Sequence, residues 1–306
     1  MRTLELPAIR RHLVYSEIVD LMREALIAQF RGECETPMPM HLDIASERAE
    51  VHMKSSYRRG GRYFALKIAS TFPGSVARGL PTGNGMMLLA SAESGEPVAL
   101  LADAGHLTDV RTAAAAAMVA RELGRKDRVL GIVGTGVQAR LQAQMHAAVL
   151  PLEEIWIWGR NRERAEECRR DLETLAPVRR AASPAELTYR TRLIVTATSS
   201  RHPLLMAADI RPGTHISAVG SDGKGKQELD PAILRRAALI LADSRRQCEK
   251  LGELQHAPSE WEWAREIGAF CEQPETIEPD AITVCDFTGL GVEDLYIAEY
   301  CYERSL

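Results

Sequence analysis

The sequence has no C-x-x-C pair and no H-x-x-x-H spacing, so the two commonest local zinc patterns are missing. Its six cysteines (Cys34, Cys168, Cys248, Cys271, Cys285 and Cys301) are scattered. That distribution reads as reduced thiols and gives no metal site. Charge of either sign is not in large excess. The net charge is −4 with no broad basic field, which argues against a nucleic-acid partner or an anionic membrane surface. No apolar run is long enough to cross a bilayer: the small-residue run AAAAAMVA is short and lies between Arg111 and Arg121. The opening segment MRTLELPAIRRHL lacks the apolar core of a secretory signal. A cytoplasmic protein without a membrane or nucleic-acid partner is the expectation. No internal repeat or low-complexity linker stands out.

The chain has 306 residues, enough for two domains. Apolar residues at helical spacing predict a helix over 16–31, stopped by Gly32. Residues 33–42, rich in Pro and Met, read as irregular. YFALKIAS at 63–70 alternates as a strand does, with Phe64, Leu66 and Ile68 on one face and Ala65, Lys67 and Ala69 on the other. MMLLAS, the turn ESGE and PVALLAD form a hairpin pattern. The rhythm changes near residue 108. LTDVRTAAAAAMVAREL reads as a helix with Thr108 as N-cap and Gly124 as its stop. RVLGIVG, EIWIW, RLIVTAT, THISAVG and ALILAD then alternate with helical or loop connections, the pattern of a doubly wound parallel sheet. ITVCDF reads as one further strand and GVEDLYIAEYCYERSL as a closing helix. The expected fold class is therefore α/β, a Rossmann-type domain over 111–287. A smaller α+β substrate and dimerisation domain covers 1–110 and is completed by the helix at 288–306.

VLGIVGTGVQAR carries the strongest motif. Gly134, Gly136 and Ala139 form G-x-G-x-x-A directly after an apolar strand and at the mouth of a helix. Gly134 permits the tight turn, Gly136 lets the backbone approach a pyrophosphate, and Ala139 lets helix and strand pack closely. The helix N-terminus supplies N–H donors for the anion. A purely structural glycine turn is the plainer alternative. After EIWIW the chain reads Gly159-Arg160-Asn161-Arg162, with no acid to accept from a ribose 2′-hydroxyl. Arg160 and Arg162 suit a 2′-phosphate, with Asn161 as cap of the next helix, so NADP(H) is favoured and NAD(H) is the other candidate. Solvated arginines are the bland reading.

Three residues carry possible chemistry. Lys67 shares its strand face with alanines, which leaves room for a ligand, although a surface lysine reads the same way. Arg111 lies in the first turn of the Ala-rich helix, where a cation is disfavoured unless a carboxylate relieves it. Asp222, in the loop AVGSDGKGKQELD after a parallel strand, is placed to exchange a proton beside a nicotinamide, and is also a plain Asp-Gly turn residue.

Taken together, LKIAS, GLPTGNG, LLADAGHLTDVRTAAAAAM, GIVGTGVQAR, VGSDGKGKQELD, LGELQHA and ITVCDFTGLGVEDL resemble the ornithine cyclodeaminase/mu-crystallin family, with the branch tied to ectoine utilisation and imino-acid reduction the nearest. The resemblance implies that Arg111 binds the substrate carboxylate, that Lys67 contacts that carboxylate or activates the substrate nitrogen as a catalytic residue, and that Asp222 is the catalytic acid/base, which burial would help to keep protonated. It places Thr82 near cofactor and substrate, Val137 and Gln138 at the cofactor phosphates, Arg160 at the adenosine ribose and Thr198 near the cofactor's middle. Val219, Gly220 and Ser221 would flank the nicotinamide, Lys226 would contact the cofactor, and Thr288 and Gly289 would close over the ring. Many members carry an arginine after a proline in the early loop. This chain reads TPMPMHLD there, and Arg48 and Lys54 are the nearby substitutes.

The activity so implied is an NAD(P)H-dependent reduction of small imino acids, or the reverse oxidation of an amino acid, by a homodimer. The alternatives are an ammonia lyase of the ornithine cyclodeaminase type with catalytic NAD, a redox-silent hydroxyproline dehydratase, and a non-enzymatic crystallin-like binding protein.

Overall fold

Alternation of side chains along 63–71 does produce a strand in the computed structural model, which describes all 306 residues, but the faces are the reverse of what hydropathy suggests. In chain order, β1 (Arg2–Glu5), α1 (Leu6–His12), α2 (Tyr15–Phe30), β2 (Cys34–Glu35), β3 (Met40–Ile44), β4 (Ala49–Arg58), β5 (Tyr63–Thr71), β6 (Gly83–Ser91) and β7 (Pro97–Ala102) precede the long helix α3 (His106–Glu122). There follow β8 (Val129–Val133), α4 (Val137–Val149), β9 (Glu154–Trp158), α5 (Arg162–Leu172), β10 (Val178–Arg180), α6 (Pro184–Arg190), β11 (Leu193–Thr196) and β12 (Arg201–Leu205). The chain continues through β13 (His215–Ala218), β14 (Gln227–Leu229), α7 (Pro231–Arg236), β15 (Leu239–Ala242), α8 (Arg245–Leu251), β16 (Arg265–Glu266), α9 (Ile267–Glu272), β17 (Thr283–Asp286) and α10 (Gly291–Glu303). Two compact units result, one of Met1–Arg111 with Leu290–Leu306 and one of Thr112–Gly289.

In the first unit the sheet runs β1-β7-β6-β5-β4-β2, with β3 paired to β4. All its pairs are antiparallel except β1 with β7. Met40–Ile44, expected to be irregular, pairs with Ala49–Met53 instead, because the short turn at 45–48 folds the chain back on itself. Helices α10 and α2 cover one face of the sheet. On that face Ala65 and Lys67 are buried, while Leu66 and Ile68, on the other, are 43% and 44% exposed. Cross-strand register puts Met86 beside Ile68 and Met53 opposite it, and Met40 opposite Met53. These exposed apolar side chains lie together on the uncovered face of the sheet.

Helix α3 starts earlier than its sequence suggests. Asp103, not Thr108, caps it: one carboxylate oxygen accepts from Leu107 N at 2.7 Å. Ala113–Ala117 are fully buried, so small side chains are a packing requirement here as well as a helix preference. Gly124 at φ +64° ends the helix as expected.

In the second unit eight strands form one parallel sheet, ordered β10-β9-β8-β11-β13-β17-β15-β16. The direction of winding reverses between β8 and β11, which is the switch point of a doubly wound fold. Register lines up Val133, Thr196, Ala218, Asp286 and Ala242 in one row at the carboxyl edge. Each loop discussed below begins one residue beyond that row. Gly134, at φ +137°, is the residue where the first loop leaves the sheet, and a Cβ there would sit 2.5 Å from the Ala197 carbonyl oxygen. Gly136 has no atom within 4 Å of such a position.

The two glycines should therefore respond differently to alanine. Gly134→Ala is expected to cost at least about 2 kcal/mol, from φ strain and backbone overlap together. Gly136→Ala should stay within about 0.5 kcal/mol of the parent. Urea denaturation of both variants checks this, and equal midpoints would remove the assigned difference.

Candidate active site

The first unit gathers its cations through its last helix. Glu293 and Asp294 lie in the first turn of α10, where the helix dipole favours acids. Glu293 accepts from Leu290 N at 2.7 Å, which fixes the start of the helix. It also accepts from Arg111 Nη1 at 3.1 Å. Asp294 takes Arg111 Nε at 3.2 Å and Lys67 Nζ at 2.8 Å. The conflict of a cation in the first turn of α3 is thus relieved within the protein, by two carboxylates from α10. The acids Glu293 and Asp294 were not singled out from sequence. The signal was the acidic pair opening the closing helix, directly after FTGLG.

Lys67 faces this cluster from β5 and is 2% exposed, so the snorkelling reading fails. Burial pulls its ammonium down to about 7. Asp294 opposes that shift, and the like charges of Arg111 and Lys54 add to it. Burial works against the Asp294 carboxylate, but the charges of Lys67 and Arg111 hold it below the usual range. Lys54 pairs in register with Lys67 across β4 and β5, so both project to the same face. Arg48, the other candidate for the early-loop cation, is exposed on a turn at φ +52°. Lys54 is therefore the residue whose charge reaches this cluster. Asp103 also feels Lys67, and burial raises its carboxyl to about 6. Thr82 is exposed and lends its carbonyl to Phe72 N at 2.7 Å.

The second unit presents its candidates on the carboxyl-edge loops. Gly136 is the N-cap of α4, no side chain caps that helix, and its first turn holds no acid. Val137 is 58% exposed and Gln138 lies beside it, while Ala139 is fully buried against the sheet side. A helix end without a side-chain cap, a glycine with open space and no repelling carboxylate suit a diphosphate. The residues present thus fit a dinucleotide. Beyond β9, Arg160 and Arg162 are exposed, and the Asn161 side chain accepts from Arg164 N at 2.9 Å as the cap of α5.

On the next loops Thr198 and Gly220 are tied to one carboxylate. Thr198 N donates to Glu228 Oε1 at 2.6 Å and Gly220 N to Glu228 Oε2 at 3.0 Å. Val219 and Ser221 are buried, and Ser221 Oγ donates to the Lys226 carbonyl at 2.9 Å. Asp222 differs from expectation. Its side chain is 47% exposed, and Lys226 Nζ lies 2.7 Å from its Oδ1. It is not buried as expected, and an adjacent ammonium contacts it. Lys226 is thus a partner of Asp222, held by the turn through Gly223 and Gly225. Gln255 braces that turn, accepting from Gly225 N at 2.7 Å. Thr288 N and Gly289 N both donate to Asp243 Oδ2, at 2.7 and 2.6 Å. Glu228 and Asp243 were likewise not singled out from sequence.

The named residues therefore group as Lys67 with Arg111 in the first unit, and in the second as Thr198 with Gly220, Asp222 with Lys226, and Thr288 with Gly289. The structure has no cluster of metal-ligating side chains, and no helix is long and apolar enough to cross a membrane.

Comparison with known proteins agrees with this layout. An uncharacterized cyclodeaminase of Sinorhizobium fredii, y4tK, is 40% identical over 281 residues, covering 88% of this chain and 84% of its own. An archaeal alanine dehydrogenase, solved as a dimer with bound NAD, is 29% identical with a TM-score of 0.92 over 100% of this chain and 96% of its own. The iminosuccinate reductase of Paracoccus denitrificans, solved with NAD+, is 27% identical with a TM-score of 0.88 over 99% and 95%. The model of the ornithine cyclodeaminase/mu-crystallin family matches residues 3–306. With its glycine turn at the switch point and its acid-braced Lys67 and Arg111, the chain belongs to the ornithine cyclodeaminase/mu-crystallin family.

Proposed function

We propose that the protein is an NAD(P)H-dependent oxidoreductase that reduces the C=N bond of a small imino acid, or oxidises the matching amino acid. The observation that carries this reading is a helix end after Gly134-x-Gly136 with no side-chain cap and no acid in its first turn, in a chain that also buries acid-oriented Lys67 and Arg111. A nucleotide site alone would suit many activities. Buried cations held ready for a carboxylate narrow the substrate to a small organic acid.

A bound reduced dinucleotide supplies the hydride. Arg111 and Lys67, with the charge of Lys54 beside them, hold the substrate carboxylate and so fix where its α-carbon lies. Orientation of that kind is worth several kcal/mol of barrier, about 7–11 at the limit. As the C=N electron pair collapses onto nitrogen, that nitrogen takes a proton relayed through the Asp222 carboxylate from the Lys226 ammonium, which solvent then reprotonates. In the oxidative direction Asp222 accepts the proton instead. An ion-paired, half-exposed carboxylate suits this two-way exchange better than a buried acid does. Val137 and Gln138 approach the phosphates, Ser221 and Val219 flank the nicotinamide, and Thr288 and Gly289 close over it. Arg160 and Arg162, with no acid at the end of the preceding strand, favour NADP(H) over the NAD(H) bound by the two solved relatives. The apolar face that carries Leu66, Ile68 and Met86 joins two copies as a homodimer.

The assay is loss of reduced-nicotinamide absorbance with a cyclic imino acid, or with pyruvate plus methylamine. Turnover should be faster at limiting NADPH than at limiting NADH. Release of ammonia from ornithine without net absorbance change would replace this reading with the lyase. Asp222→Asn should lower kcat at least about 100-fold and leave dinucleotide affinity within about threefold; retained turnover would strip Asp222 of its role.

Substrate affinity should also depend on pH through Lys67. Only its protonated form attracts a carboxylate, and its folded value is lowered to about 7. Binding of pyruvate, whose carboxylate stays ionised, should be strongest below pH 7 and weaken as pH rises through that value. Calorimetric titration from pH 6 to 8.5 measures this, and a flat profile would contradict it.

For the dimer, Leu66→Glu with Ile68→Lys should convert the particle to a folded monomer by light scattering, whereas an unchanged mass would place the interface elsewhere.

A further inference from the structure

Beneath the carboxyl-edge loops of the second unit lies a set of buried carboxylates that makes no salt bridge to lysine or arginine. Glu228 is fully buried. Its Oε1 takes Thr198 N, and its Oε2 takes both Gly220 N and Thr196 Oγ1, the last at 2.7 Å. Thr196 ends β11 and Ala218 ends β13, so the two amides held are those of the loops leaving adjacent strands. A Cβ on Gly220 would fall on Thr198 O and close to the Glu228 carboxylate, which shows how tightly the three pieces meet. Glu228 is itself fixed from behind. Its backbone N–H donates to Glu253 Oε1 at 2.7 Å, and Glu253 N donates to Asp286 Oδ1 at 3.0 Å.

We infer that Glu228 is a positioning residue for hydride transfer: its carboxylate staples the loop of Thr198 to the loop of Val219–Ser221 and so sets the floor on which the nicotinamide rests. This rests on the dinucleotide reading above. Glu228 touches neither cofactor nor substrate and acts through two peptide N–H groups. The staple needs the ionised form. Protonated at Oε2, the group turns its hydroxyl to Thr196, and Gly220 N–H loses its acceptor. A buried amide without a partner costs about 1–3 kcal/mol, enough to part the loops locally.

The charged groups around Glu228 are Glu253, from the segment after α8, and Asp286, at the end of β17, with Asp222 and Lys226 on its own loop and His256 against the Lys226 carbonyl. Burial raises the Glu228 carboxyl to about 7, and the hydrogen bonds from Thr196, Thr198 and Gly220 work against that rise. Hydride transfer is therefore full above that value and falls as pH drops through it.

The test first asks whether the parent protein binds NADPH or NADH by fluorescence titration. No binding there sinks the dinucleotide reading itself, before any variant is made. Glu228→Gln then places an NH2 against one backbone N–H. The expected result is at least a tenfold loss of kcat, a larger primary isotope effect with C4-deuterated reduced nicotinamide, and dinucleotide affinity within about threefold of the parent. A parent-like kcat and isotope effect overturns the inference, as does a loss of kcat matched by an equal loss of dinucleotide affinity. Thr196→Val leaves the carboxylate in place but removes one bond to its ionised form. Its acid limb of kcat should move to higher pH while the rate at high pH stays parent-like. An acid limb that does not move overturns the inference, and this variant decides the matter if Glu228→Gln does not fold.

Discussion

Wherever a parallel strand stops, its chain must leave the sheet with peptide N–H groups that no neighbouring strand accepts, and a buried N–H without a partner is costly. At the carboxyl edge of the second unit several of these donors turn to side chains. Buried carboxylates accept them. Glu228 serves the loops after β11 and β13, Asp243 serves Thr288 and Gly289 after β17, Asp286 takes the amides of Glu253 and Leu254, and Glu253 takes those of Glu228 and Leu229. Each acid is thus both an acceptor and part of a segment held by another. The geometry of the site depends on this arrangement, because the loops it fixes are those that carry Thr198, Gly220 and Gly289.

The same logic explains the absence of lysine and arginine among these acids. Backbone amides are neutral donors placed by the fold itself, and a carboxylate that takes two or three of them can stay ionised in a dry interior. An arginine would satisfy one acid and fix one side chain. An amide pair fixes the backbone of two loops. The cost of burial remains visible in the raised carboxyls of Glu228, Glu253 and Asp286.

Much of this fold was legible from period and turn residues. The row Val133, Thr196, Ala218 and Asp286 ends strands that read as short apolar runs, and G-x-G-x-x-A sat between a strand and a helix as its chemistry requires. Two things were not legible, for a common reason. Alternation put Leu66 and Ile68 on one face and Lys67 on the other and left open whether Lys67 was buried or at the surface, because it tells which residues share a face but not which face is covered. Here α10, more than two hundred residues later in sequence, covers the lysine side. The bracing acids were missed likewise. Glu228, Asp243, Glu293 and Asp294 look like ordinary polar residues of helix starts and strand ends, and only tertiary structure shows distant partners such as Thr198, 30 positions from Glu228, and Arg111, 183 positions from Asp294. Asp222 was singled out by its place after a strand, yet its exposure and its Lys226 partner depend on a glycine-rich turn whose shape the sequence does not disclose.

Both units use buried acids, but to different ends. In the second unit the acids meet peptide amides, which are the same whatever the side chains, so the loops are held in place independently of the substrate. In the first unit Glu293 and Asp294 meet side-chain cations, and the strength of that grip varies with which cations are present. Lys54 stands in register with Lys67, so a change at that one position alters the charge felt by Lys67, Asp294 and any carboxylate beside them without disturbing a single strand hydrogen bond. Arg111, by contrast, is tied to two carboxylates of α10 and cannot be exchanged without leaving buried charge unpaired. The physical prediction of such a design is a fixed hydride-transfer floor and a fixed arginine, with substrate choice tuned at the exchangeable cross-strand cation.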